Sequence, residues 1–129
     1  MPTLPQRLTY SAVAPTREQL LADQGGKCAL CGLPCSSDEA VLDHDHDTGA
    51  IRGALHRGCN ALLGKVENNH KRYGVKSLPA FLGGATAYLQ RHRENRTGLL
   101  HPTHKTDEEK RLARNAKARK RRATKKEAE

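Results

Sequence analysis

Aromatic side chains are nearly missing from this sequence: Phe81, Tyr10, Tyr73 and Tyr88 are all it has among 129 residues, with no tryptophan and one methionine. Apolar residues of every kind reach only 36%. A chain so poor in large apolar groups does not build a sizeable core by itself. Small domains in that position rely on disulfides, a structural metal or oligomerisation. Long hydrophobic runs are missing too. No stretch approaches the roughly 18 apolar residues that a membrane span needs, and the N-terminal residues lack the apolar core of a secretion signal. The expectation is one small domain with a tail, which excludes a multi-domain enzyme, a large barrel and a transmembrane protein.

Acidic charge is in deficit, with 23 Lys and Arg against 14 Asp and Glu and a formal net charge of +9. That balance favours an anionic partner, nucleic acid before a membrane surface, because no amphipathic stretch offers large apolar anchors. The excess is uneven. Residues 105–129 hold eleven basic and five acidic residues, a net of +6, which leaves +3 for residues 1–104. Inside this basic protein sits an acidic cluster, Asp43, Asp45 and Asp47. Acid beside an acidic substrate makes chemical sense if a divalent cation lies between carboxylate and phosphate.

The pattern along the chain predicts an irregular arm over 1–15, a domain over 16–94 and a basic, partly disordered or helical tail over 95–129. Thr16 and Gln19 have the spacing of a capping box, so a short helix is expected over 17–24, stopped by Gly25-Gly26. A small hairpin follows, with strands near 40–42 and 50–53 around the turn at Thr48-Gly49. Cys59, Leu62, Leu63 and Val66 recur at helical spacing over 57–66. Ser77 with Pro79 opens another helix, whose stripe Leu78, Phe81, Leu82, Ala85, Tyr88 and Leu89 is core or a dimer seam. Thr106 and Glu109 form a further capping box for a helix over 107–122 that orders on an anionic surface.

The four cysteines are Cys28, Cys31, Cys35 and Cys59. Without a secretion signal, a Cys-x2-Cys knuckle reads as a metal site rather than as disulfides. A redox pair of the thioredoxin kind would need a strand before it and a helix carrying the second Cys, whereas Gly32 follows Cys31 directly. His56-Arg-Gly-Cys59 repeats the x2 spacing at the mouth of a helix. Cys28, Cys31, His56 and Cys59 thus make a closed, structural zinc site, with Cys35 competing with His56 for the fourth place.

Asp43-His44-Asp45-His46 forms the second constellation. In an extended segment Asp43 and Asp45 share one face, His44 and His46 the other. Phosphodiester hydrolysis needs a carboxylate to hold Mg2+ on the scissile phosphate, a neutral imidazole to take a proton from water, and a further oxygen ligand. Asp43, His44 and Asn60 supply these, with zinc at Cys59 fixing Asn60 in its helix.

At these residues the chain closely resembles the phage recombination endonuclease VII family, a branch of the His-Me finger (HNH) nucleases. The matching pieces are Gly26-Lys27-Cys28-Ala-Leu-Cys31-Gly32, Leu42-Asp43-His44-Asp45-His46-Asp47-Thr48-Gly49, Ile51 through Asn60, and Leu63-Gly64. The resemblance implies a small α+β fold, a zinc-stabilised beta-beta-alpha metal core with a following helix. It also implies Mg2+-dependent DNA cleavage with 5′-phosphate and 3′-hydroxyl products, often by a homodimer on branched DNA, in the cytoplasm of an infected bacterium. Asp43 and Asn60 become the Mg2+ ligands and His44 the general base, with His46 as supporting group or rival base. Two positions depart from the family. His56 stands where a cysteine is usual, which zinc accepts. Leu63 stands where the family's junction resolvase has a glutamate, so a weaker catalytic metal site is expected.

Arg52, Arg57 and Lys65 lie beside this centre and are candidate DNA contacts, with Arg57 and Lys65 on backbone phosphates. Lys117 and Arg121 in the tail would add affinity. The competing reading is a zinc-stabilised, non-catalytic nucleic-acid-binding module, or a decayed nuclease with a structural or regulatory role in a phage.

Overall fold

The computed structural model describes residues 3–129. The elements are α1 (Tyr10–Asp23), β1 (Ala40–His44), β2 (Ile51–His56), α2 (Arg57–Asn69), α3 (Leu78–Arg91) and α4 (Asp107–Ala128). They fall into two compact units, Met1–Leu82 and Gly83–Glu129. No helix among the described residues is long and apolar enough to cross a membrane.

The first helix starts earlier than its sequence pattern suggests. Thr9, in extended conformation, is its N-cap, and Pro15 lies inside it, so residues 10–15, expected in an irregular arm, are helical, and Thr16, expected as the cap, lies within the helix. A proline ordinarily biases its predecessor away from helix, yet Pro15, the sixth helical residue, costs α1 one ladder donor without ending it. The far end behaves as expected. Gly25 and Gly26 both take positive φ, and their N–H groups bond Ala22 O and Leu21 O, both at 2.9 Å. That is the pattern of a Schellman stop, which turns the chain sharply toward the knuckle.

β1 and β2 form an antiparallel hairpin, pairing Ala40 with His56 and Asp43 with Gly53. The returning strand runs to His56, beyond the expected 53, because Gly53, Ala54 and Leu55 are buried against α1 and the knuckle. The register then slips: His44 faces Ile51, and Arg52 has no partner across the ladder. Such a bulge bends the strand and re-aims its extra side chain. Asp45 leaves the ladder to build the turn, its Oδ1 accepting from the N–H groups of Asp47 (2.8 Å) and Thr48 (3.0 Å). Asp45 therefore does not join Asp43 on a strand face.

Gln24 closes the outer edge of β2. Its Nε2 donates to Ala54 O and Lys27 O, both at 2.8 Å, and its Oε1 accepts from Ala54 N at 2.9 Å. One amide thus does for Ala54 what a third strand would do. No residue separates β2 from α2, since His56 ends the strand and caps the helix. α2 packs on both strands, as α1 does.

The core is small: Leu21, Cys28, Cys35, Ala40, Ala54 and Leu55, with Leu20 and Cys59 at its edge. α3 contributes nothing buried, and Phe81, Leu82, Tyr88 and Leu89 are exposed, which corrects the reading of that stripe as core. Its start is as expected, with Ser77 Oγ accepting from Ala80 N at 3.3 Å. α4 carries the complete Thr106–Glu109 capping box and runs past the expected end at 122.

Candidate metal centre and active site

The joint between knuckle, β2 and α2 gathers four donor atoms. Those of Cys28, Cys31, His56 and Cys59 all lie within 4.8 Å of one another, and all four cysteines are free thiols. The knuckle is folded by backbone bonds from Cys28 N to Leu33 O and from Gly32 N to Cys28 O, each 2.9 Å, with Gly32 at a φ of 76°. Only glycine takes that conformation without strain.

His56 is oriented for ligation. Its Nε2 lies 2.8 Å from Pro34 O, and because a carbonyl only accepts, Nε2 must carry the proton. Nδ1 then turns its lone pair toward the thiols, 3.3 Å from Cys31 Sγ and 3.8 Å from Cys59 Sγ. A backbone carbonyl holding the far ring nitrogen is the usual way a ligating histidine is fixed. Cys35 is placed differently: buried, bonded to Ser36 O, and grouped with Glu39 and His56 rather than with the other three thiols.

The protons of this corner are unevenly held. Burial pushes the Cys28 thiol up, but N–H groups of Cys31, His56 and Leu30 and the Cys31 thiol outweigh it and pull it down to about 6. Burial and the neighbouring Cys31 and Cys28 push Cys59 up to about 11. Pro34 O chiefly, with the thiol groups, raises His56. Soft sulfur with one imidazole is a donor set that suits Zn2+.

The second constellation lies along the hairpin. Asp43 is buried at the end of the regular ladder, while His44 and His46 are exposed and stack on each other, centroids 4.9 Å apart. His44 lines a groove of about 680 Å3 with Leu42, Ile51 and, from the N-terminal segment, Arg7 and Leu8. Arg7 had no motif to mark it in the sequence. Asn60 sits half-buried in the first turn of α2, directly after Cys59.

Arg52 is engaged from both sides. Its Nε donates to Asp43 Oδ2 at 2.7 Å and its Nη2 to Asp43 Oδ1 at 3.1 Å. The same guanidinium donates to Glu67 Oε2 at 3.0 Å and Oε1 at 2.9 Å. Glu67 and then Asp43 raise the Arg52 pKa, and Arg52 lowers that of Glu67. Arg52, expected from the sequence to contact DNA, ties hairpin to helix through these bonds. Glu67 escaped the sequence reading, though its place was marked: it lies seven residues after Asn60 and four after Leu63, on the same side of α2.

Arg57 and Lys65 are exposed on α2. Lys117 and Arg121 share one face of α4 with Arg114, Lys120 and Thr124.

A hairpin running without a loop into a helix, with a Cys/His cluster at the joint, is a beta-beta-alpha metal core of the His-Me finger kind. The model of one family within that class, described as recombination endonuclease VII, matches residues 4–91. The chain belongs to the recombination endonuclease VII family. The match ends with α3 and leaves α4 outside.

Proposed function

We propose that this protein is a Mg2+-dependent DNA endonuclease whose fold is held by zinc on Cys28, Cys31, His56 and Cys59. The observation that carries the reading is the pairing of Asp43 with His44 at the end of β1, against an α2 that begins at the Cys/His corner and presents Asn60. Carboxylate and amide oxygens are hard donors that suit Mg2+. Asp43 already turns both oxygens toward a cationic group. Asp43 and Asn60 would hold the ion. When bound, Mg2+ supplies neutralisation of the charge developing on the phosphorane and on the departing 3′ oxygen.

His44, exposed to solvent, takes a proton from the attacking water, which leaves a 5′-phosphate and a 3′-hydroxyl. His46, stacked on it, orients the ring. Arg57 and Lys65 meet backbone phosphates, and the basic face around Lys117 and Arg121 adds affinity without reading bases. The fitting setting is a phage-infected bacterial cell, with a homodimer on branched DNA as the fitting assembly.

A non-catalytic DNA-binding module has one observation in its favour, Leu63 in place of the family's acid. Nicking of supercoiled plasmid in Mg2+ against EDTA separates the two. Loss of a general base typically costs about 10²–10⁴-fold, so His44→Ala should lose that much single-turnover rate while keeping zinc and DNA binding, and His46→Ala should lose less. Normal cutting by both variants and by Asp43→Ala would refute the assignment.

A further inference from the structure

Outside the Cys/His corner, the best-built polar feature of the first unit is the Asp43–Arg52–Glu67 bridge. Four charge-assisted contacts of 2.7–3.1 Å meet one guanidinium that is about one-third exposed. Its anchors differ. The Asp43 side chain is 6% exposed and that of Glu67 30%. The guanidinium thus spans from the buried carboxylate assigned to Mg2+ out to a carboxylate at the surface of α2. Arg52 is also the residue that the ladder skips, which lets its side chain turn toward Asp43.

We propose that Arg52 is a resident cation that competes with the divalent ion for Asp43, and that Glu67 is the acceptor that holds the guanidinium when the ion takes its place. Arg52 and Glu67 are positioning residues in this scheme. The inference rests on the Mg2+ reading of Asp43 given above. The chemistry follows from the contacts. Both Asp43 oxygens accept from Arg52, so an incoming ion meets a like charge on each of them and competes with that fork. A guanidinium released with no second acceptor would stay where it is most attracted, on Asp43. Glu67 removes that preference, because the outer face of the same fork is already bound to it. The arrangement also bears on Leu63. Without an acid at that position, a carboxylate one helical turn further on acts through an arginine rather than on the ion.

The test is a double-mutant cycle on the zinc-loaded full chain, read as Mn2+ affinity by the loss of the free-ion EPR signal. Exchanging a charge-assisted hydrogen bond for a neutral one is worth about tenfold in affinity. Arg52→Gln should therefore tighten Mn2+ binding about tenfold, and Glu67→Gln should weaken it by a similar factor. In the Arg52→Gln background, Glu67→Gln should have no further effect. Should Arg52→Gln disturb the fold, checked by the amide signals of Ala54 and Leu55, Arg52→Lys serves instead. An ammonium has no fork to span two carboxylates, so its affinity should be insensitive to Glu67→Gln. Weaker binding in Arg52→Gln, or an equal effect of Glu67→Gln in both backgrounds, overturns the proposal while leaving Asp43 a ligand. Mn2+ binding that Asp43→Asn leaves unchanged overturns the Mg2+ reading and this inference together.

Discussion

If the Cys/His corner holds zinc as proposed, removing the metal should unfold the first unit, and the size of the effect follows from how little else holds it. Its core contains two buried leucines, Leu21 and Leu55, beside two alanines and two cysteines. Burial of a leucine is worth roughly 1.5–3 kcal/mol, so the pair supplies about 3–6 kcal/mol. Structural zinc binding in small domains is worth about 10–16 kcal/mol at neutral pH. Zinc bound there would therefore outweigh the apolar contacts that remain without it, and Cys28→Ala or Cys59→Ser should leave no cooperative transition. Far-UV circular dichroism is a poor readout, because the 22 residues of α4 lie outside this unit and contribute helical signal of their own. Amide hydrogen exchange at Ala54 and Leu55, the most buried positions of β2, reports on the corner directly. Chelated protein that keeps these amides protected to within tenfold of the zinc-loaded form would refute the reasoning. So would purified protein that contains no zinc and melts normally.

Zinc uptake at pH 7.5 should release fewer than three protons, since Cys28, pulled down to about 6, is already a thiolate while Cys59, pushed up to about 11, must lose its proton. Calorimetry in buffers of different ionisation enthalpy counts them. The sign is fixed: zinc affinity should fall as pH falls, first as the raised His56 takes up its proton and then, below about 6, as Cys28 does. Gln24→Ala should destabilise the first unit by roughly 1–3 kcal/mol, the cost of leaving the buried Ala54 N–H unpaired, measured by denaturant titration of zinc-loaded protein. Deleting 105–129 should weaken DNA binding and flatten its dependence on salt, because eleven basic residues no longer displace counterions. Cutting should survive at saturating DNA. An unchanged slope would mean that α4 faces something other than DNA.

The Cys/His corner was legible because it is written locally, as two x2 spacings at the ends of two short segments. The same holds for the Gly25-Gly26 stop and the Thr106–Glu109 cap, each a motif shorter than a helical turn or two. The hairpin and α2 also followed from spacing, though β2 proved longer because burial, rather than turn chemistry, sets its end. The start of α1 was misjudged because residues 1–15 hold three prolines and no apolar periodicity, yet the helix tolerates Pro15. The contacts of Gln24 with Ala54 and of Arg52 with Glu67 join residues 30 and 15 apart. No periodicity carries such pairs; they exist only once the chain has closed. Nor did the stripe on α3 say what it would face, since an apolar face specifies burial but not its partner.

The slip at Arg52 also divides the hairpin into two zones of different tolerance. Below it, the pairs from Ala40–His56 to Asp43–Gly53 carry the buried side chains and lead straight into the Cys/His joint. Above it, only His44–Ile51 pairs, and residues 46–50 are exposed. A ladder that already skips one residue isolates its base from changes of length at its tip. Added sequence after Thr48 would lengthen an exposed turn, whereas the same addition between Gly53 and Cys59 would pull two of the four donors out of reach. The tip is thus a place in this small unit where the chain can vary in length, or carry a label, without losing its fold.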